Sequence, residues 1–357
     1  MQFSKKSKYY LLISLLTLNF NFFAYSQLAT QADSLLNKQI AELNFSGTLL
    51  LAKNGKIIFH KSPGFADLDA KVSLTDNTRF SIGSINKFIT AALIMKLEEE
   101  GKLSIDATID TYIQEFKIPN GNKITLKHLL THSGGLGDYM GTPEHEKMSG
   151  GNSSIDELVA IIAKQPLEFP EPGSKNEYSN SGFIVLGKII EKLEKKNYFQ
   201  VLTDRIFKPY KINTATFTIN LKDSKGFAKG YLAEQPGKWI AQTDIIPPSS
   251  DGGLFITAKD FLKLDQAIFN GNFISKESIT KMTTPSGKGG YGLATIITKL
   301  PNGNGYGHNG GMPGYEADYR HFYIGRDEYT VIIFANRDRQ AIPLLREVNK
   351  LLVKIDS

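Results

Sequence analysis

Apolar and polar residues follow two periods along this chain, and the places where the period changes mark its elements. In residues 30–43, Leu35, Leu36, Ile40 and Leu43 fall on one side of a 3.6-residue repeat, which predicts an amphipathic helix. Residues 45–52 and 56–60 flank Asn54-Gly55, a dipeptide that supplies the positive-φ backbone of a tight turn, so they predict a β-hairpin. A short extended stretch, 78–82, leads into a helix over 85–99, with Phe88, Ala91, Ala92, Met95 and Leu97 at helical spacing and Gly101 as its stop. Further helices are predicted at 126–131, 155–164, 182–195, 257–269 and 276–282. The β-branched and aromatic content of 291–298, 316–324 and 329–335 predicts strands, with a turn at Arg326-Asp327 and a closing helix at 342–353. Strands at both ends with helices between them imply one sheet built from both termini and a helical region inserted into it.

Composition narrows the class. The chain has 357 residues with 41% hydrophobic and 22% charged, enough to bury a core. Its formal charge is +6, and setting aside Lys5, Lys6 and Lys8, the only charged residues of 1–26, leaves 39 basic against 36 acidic residues, a balance of +3. The basic residues are scattered, with no dense stripe, so there is no footprint for nucleic acid. The start of the chain reads as a secretory signal, with lysines, then an apolar run over 9–23, then the small residues Ala24 and Ser26 around Tyr25. The apolar run falls short of the roughly 20 residues that span a bilayer, and Asn19 and Asn21 interrupt it. Cleavage after this segment leaves a product with no membrane anchor, periplasmic or secreted. The absence of cysteine excludes disulfides, a thiol nucleophile and acylation of a lipoprotein cysteine.

Three short patterns carry chemistry. In Phe80-Ser81-Ile82-Gly83-Ser84-Ile85-Asn86-Lys87, a serine at a helix start has a lysine three residues on, so both side chains lie on one face. A serine hydroxyl needs a base within hydrogen-bond reach, and a desolvated lysine can serve. Taken alone, Ser-x-x-Lys reads more simply as a helix cap with a solvated lysine. Glu177-Tyr178-Ser179-Asn180-Ser181-Gly182 precedes another helix; it offers a phenol and a carboxamide, or a plain turn capped by Asn180 or Ser181. Gly307-His308-Asn309-Gly310-Gly311 lies ahead of a strand, where glycine lets a substrate approach the backbone and frees an N–H of Gly311, or is a glycine-rich hairpin loop.

The three patterns in this order resemble the active-site motifs of the family that holds class C β-lactamases, serine D,D-peptidases and related esterases, namely serine-x-x-lysine, tyrosine-x-asparagine and a lysine- or histidine-x-glycine triplet. Residues 124–136 (ITLKHLLTHSGGL), 169–173 (FPEPG) and 252–260 (GGLFITAKD) extend the likeness from about Phe45 to the C-terminus. The resemblance implies an α/β (α+β) fold of β-lactamase/transpeptidase type: an antiparallel sheet built from both chain ends, flanked by helices, with a mostly helical insertion. After a signal at 1–26, the sheet part then takes about 28–80 and 230–357, and the helical part about 81–229. It also implies an exported serine hydrolase acting on a small-molecule or peptide ester or amide. Ser84 is the nucleophile; Lys87 and Tyr178 move the proton; Asn180, His308 and Gly310 orient the substrate; the amides of Ser84 and Gly311 form the oxyanion hole. No metal or cofactor is implied, and oligomeric state is left open. His308 stands where the β-lactamases carry lysine and is mostly neutral at pH 7, which favours the esterase and D-amino-acid peptidase pattern over β-lactam hydrolysis. A non-catalytic sensor or scaffold of the same fold is the alternative, as is a class C-like β-lactamase.

Other constellations yield to plainer readings. His128 and His132 have metal-ligand spacing, but Leu129 stands where a zinc protease needs glutamate, so they read as hydrogen-bonded histidines at a packed helix end. Residues 305–310 match Gly-x-Gly-x-x-Gly but open no helix. Glu98-Glu99-Glu100 reads as a solvated helix end, and 139–154 as a polar loop that borders the pocket or only the surface.

Overall fold

The computed structural model describes residues 26–148, 153–218, 226–235, 237–242, 246–286 and 290–355. The expected signal segment therefore lies outside the described residues apart from Ser26. Six strands form the main sheet: β1 (Gly47–Lys53), β2 (Lys56–Lys61), β3 (Ile296–Leu300), β4 (Gly303–Met312), β5 (Tyr315–Ile324) and β6 (Asp327–Ala335). Their order is β2-β1-β6-β5-β4-β3, and every neighbouring pair is antiparallel. Asn54 and Gly55 both have positive φ, as the hairpin between β1 and β2 requires. β1 pairs along its whole length with the last strand, from Gly47 opposite Ala335 to Lys53 opposite Tyr329.

The helices used below are α1 (26–43), α2 (Ile85–Glu99), α3 (Leu126–Leu130), α4 (Ile155–Ile162), α5 (Ser181–Glu194), α6 (Tyr198–Leu202), α7 (Ala258–Phe269), α8 (Lys276–Thr283) and α9 (Ala341–Val353). Successive side chains of a strand point to opposite faces, and here both faces are covered. Leu49, Leu51, Val331 and Ile333 pack against Leu36 of α1 and Leu344 and Val348 of α9. Leu50, Ile332 and Phe334 face the other way and join one core with α2, α5 and α7. Double coverage explains the unbroken apolar runs Leu49-Leu50-Leu51 and Val331-Ile332-Ile333-Phe334. α2 is buried on every side from Ile85 to Met95, so only its last turn, with Lys96, Glu98 and Glu99, is polar and reaches solvent.

Three expectations need correction. Residues 307–311 are not a loop ahead of a strand: they lie within β4 itself and pair residue by residue with β5. Their five-residue stretch holds three glycines, which hides the alternation by which a strand is recognised. The strand expected at 291–298 starts only at Ile296. Glu98, Glu99 and Glu100 are not simply solvated. Glu98 accepts the Ile105 amide at 3.1 Å, Glu99 accepts the Ser275 amide at 2.6 Å at the start of α8, and Glu100 pairs with Arg205 at 2.8 Å.

Candidate active site

Ser84 sits where the short strand Phe80–Ser81 turns into α2. The turn is made by Gly83, at φ +49°, whose added Cβ would lie 2.7 Å from the amide nitrogen of Gly311. A Cβ on Gly310 would run into the Ile82 carbonyl oxygen. The Ser84 turn and the end of β4 therefore touch backbone to backbone, and glycine at both places permits it. β3 pairs with β4 only as far as Gly307, so the end of β4 lies on an open sheet edge beside Ser84. Space for a side chain at Gly311 is empty, and the Ser84 N–H makes no backbone hydrogen bond among the described residues.

Lys87 lies one turn along α2 and is fully buried. Its Nζ has three oxygen partners: Ser84 Oγ at 3.2 Å, Asn180 Oδ1 at 2.9 Å and the main-chain carbonyl of Asp251 at 2.7 Å. It also lies over two rings, 5.0 Å from the centroid of Tyr178 and 5.7 Å from that of Phe183. Asn180 does not cap α5 with its side chain. Instead its Nδ2 donates to Asp138 at 3.3 Å and to Met140 Sδ at 3.4 Å, and Ser179 Oγ takes the Gly182 amide. Ser181 donates to the Gly137 carbonyl at 2.7 Å and is the acceptor for the Tyr139 amide at 3.0 Å, which ties the loop before α5 to the segment carrying Asp138.

Tyr178 is 52% exposed, and its phenol makes no hydrogen bond to Ser84 or Lys87 among the described residues. Its ring lies against His132, with centroids 4.5 Å apart. His132 is buried, takes the Ser179 amide on Nδ1 at 3.1 Å, and is pushed down to about 3 by burial and then by the nearby Lys87 cation. It is therefore a neutral ring under the tyrosine, carrying its proton on Nε2. His128 takes the Thr125 amide on Nδ1 at 3.2 Å and completes the cap of α3, so each of the two histidines is used locally.

His308 lies on β4 beside Tyr291, centroids 6.0 Å apart, and its Nδ1–H donates to the Asn309 carbonyl. Burial holds its ring well below the ordinary imidazole value, so it brings no positive charge to the site. The structure thus gathers Ser84, Lys87, Asn180, the Tyr178 ring, and the Gly310–Gly311 edge around one point, with His308 buried in the strand next to it. Sequence reasoning did not single out Asp138 or Asp251, and it placed Tyr139, which is buried, only at the start of a polar loop. Nothing in their local spacing marks them; only the packing of three distant loops on α2 does.

Comparison with known proteins gives one consistent picture. A profile described as Beta-lactamase matches residues 33–351. The "Putative penicillin-binding protein PbpX" of Bacillus subtilis is 31% identical over 326 residues, covering 90% of this chain and 77% of that protein. The teichoic acid D-alanine hydrolase of Staphylococcus aureus is 30% identical over 221 residues, covering 62% of this chain and 53% of that one. Among solved structures, the octameric penicillin-binding protein homologue from Pyrococcus abyssi superposes with a TM-score of 0.76 at 28% identity, covering 89% of this chain and 77% of that one.

Proposed function

Because this chain belongs to the beta-lactamase family and is a serine hydrolase of the penicillin-binding-protein type, we propose that it cleaves an ester or amide through an acyl-enzyme on Ser84. The observation that carries this reading is the three-oxygen setting of the Lys87 amine. An ammonium has three N–H donors and a neutral amine two N–H groups and one lone pair. In the neutral state the Asn180 and Asp251 oxygens take the two N–H groups, and the lone pair faces the Ser84 hydroxyl. In the protonated state the third N–H points back at Ser84. Both states are fully satisfied, so the serine proton moves along a line already in place.

The steps follow from that geometry. Ser84 Oγ attacks the substrate carbonyl as its proton passes to Lys87, and the carbonyl oxygen becomes an oxyanion between the amides of Ser84 and Gly311. The exposed phenol of Tyr178, on the solvent side of Lys87, relays a proton to the departing alcohol or amine. Water then attacks the Ser84 ester along the reverse proton route and releases the acid. The teichoic acid D-alanine hydrolase among the relatives and the neutral His308 both support a small acyl ester or D-aminoacyl substrate rather than an anionic β-lactam. A sensor role is disfavoured because Ser84, Lys87 and Asn180 already form a connected hydrogen-bond chain. The lysine-rich start, the apolar run and the small residues near Ser26 support export to the periplasm or medium.

The test is labelling with a fluorophosphonate probe and turnover of a neutral aryl ester, for wild type and Ser84→Ala. Wild type labels and turns over, Ser84→Ala does neither, and mass spectrometry puts the adduct on Ser84. Equal signals from the two proteins overturn the reading.

A further inference from the structure

We propose that Asp251 is a positioning residue that acts through Lys87: its main-chain carbonyl fixes one Lys87 N–H, and its buried carboxyl sets the pH at which Lys87 gives up its proton beside Ser84. The catalytic arm of this proposal rests on the acyl-enzyme reading; the titration of Lys87 does not.

Residues 249–251 lie along α2 and are held there by three successive carbonyls. Ser249 accepts from Asn86 Nδ2 at 2.8 Å, Ser250 from Thr90 Oγ1 at 2.7 Å, and Asp251 from Lys87 Nζ at 2.7 Å. These bonds explain why the buried part of α2, otherwise apolar, carries Asn86, Lys87 and Thr90 inside. The Asp251 side chain is 2% exposed and accepts the Tyr139 phenol on Oδ2 at 2.9 Å. Tyr139 is itself bonded through its amide to Ser181, next to Asn180. One buried carboxyl thus links the Lys87 segment to the loop that orients the other Lys87 partner.

A carboxylate so deeply buried needs a countercharge. Burial pushes the Asp251 carboxyl up, and the Lys87 cation is the charge that pulls it back. The other groups facing this pair are Asp138, Tyr139 and Tyr198 around Asp251, and Tyr178, His132 and His308 around Lys87. Burial keeps the Tyr139 and Tyr198 phenols and the His132 and His308 imidazoles neutral. Asp138 is the competing anion, but it is only half-buried and bonds to Asn180 rather than to Lys87. Charges act more strongly where water is excluded, so Asp251 dominates.

The experiment follows the side-chain NMR resonance of Lys87 in the full chain labelled at lysine, assigned by its loss in Lys87→Ala. In Asp251→Asn the Lys87 titration moves to lower pH by about one unit, a tenfold change in proton affinity. Asp138→Asn moves it less. The acid limb of kcat/KM for a neutral aryl ester moves in the same direction in Asp251→Asn. Should Asp251→Asn fail to fold, Tyr139→Phe carries the test: it strips the carboxylate of its donor, and Lys87 again titrates at lower pH, by a smaller amount. A Lys87 titration that stays put in the folded variant overturns the proposal. So does a uniform loss of kcat/KM at every pH, which is what a merely structural role gives. A wild type that labels with no probe while Lys87 still responds to Asp251→Asn removes the hydrolase reading and leaves this one standing.

Discussion

Asn180 shows how much one side chain can be asked to do at this site. It gives its oxygen to Lys87 and its nitrogen to Asp138 and Met140, so Asn180→Ala leaves a buried Lys87 N–H without an acceptor. An unmet bond to a charged group costs about 1.5–3 kcal/mol, and the expected result is a fall in kcat/KM of roughly tenfold to a hundredfold, measured on an aryl ester, together with a Tm a few degrees lower. His132 makes a different prediction. Its folded value is about 3 against an ordinary 6.5, so as pH falls the unfolded chain takes the proton first. Stability from this group is complete above pH 6.5 and is lost as pH drops toward 3. Urea unfolding of wild type against His132→Gln should therefore show about 2 kcal/mol less loss between pH 7 and pH 5 in the variant. Ser84, Lys87, Tyr178 and Asn180 were legible in the sequence because their order along the chain is a pattern. Asp138, Tyr139 and Asp251 were not, because an ordinary acid or phenol in a loop gives no sign of what folding will place beside it.

At the scale of elements, the site depends on a strand and a turn that meet without side chains between them. Gly310→Ala puts a methyl against the Ile82 carbonyl and must push β4 away from the Ser84 turn. On the proposed mechanism that shift spoils the oxyanion donor assigned to Gly311, worth about a hundredfold to a thousandfold in kcat, while far-UV circular dichroism stays that of the wild type. The same glycines made β4 hard to recognise. Its alternation is erased where the backbone must come closest, so the sequence reads as a loop at the very place where the sheet is most tightly specified. α2 was easier. Its apolar residues and its glycine stop define the helix, although its buried Asn86 and Thr90 had no visible reason until the 249–251 segment was seen against them. The predicted helices at 257–269 and 342–353 match α7 and α9 to within a residue or so at each end.

At the scale of the molecule, Phe334 marks the joint between sheet and helices. Its ring is 6.2 Å from Phe80 and 5.7 Å from Phe261, and all three belong to the core that also holds α2 and α5. Phe334→Ala should cost about 3–5 kcal/mol in urea unfolding. With one core crossing from sheet to helices, circular dichroism and the fluorescence of Trp239, the single tryptophan, should report one coincident transition. That the sheet uses both ends of the chain was legible from strands at each end and helices between; the register of β1 on β6 was not, since apolar runs covered on both faces carry no phase. This register has a consequence for how the protein is born. β1 leaves the ribosome well before β6, with β2 to β5 and α2 to α8 made in between, so the central pairing of the sheet has no partner until all of those exist. A nascent chain stalled before Asp327 holds β1 with β2 on one edge and its other, apolar edge unpaired, and is best kept threadlike by a chaperone until β6 has emerged.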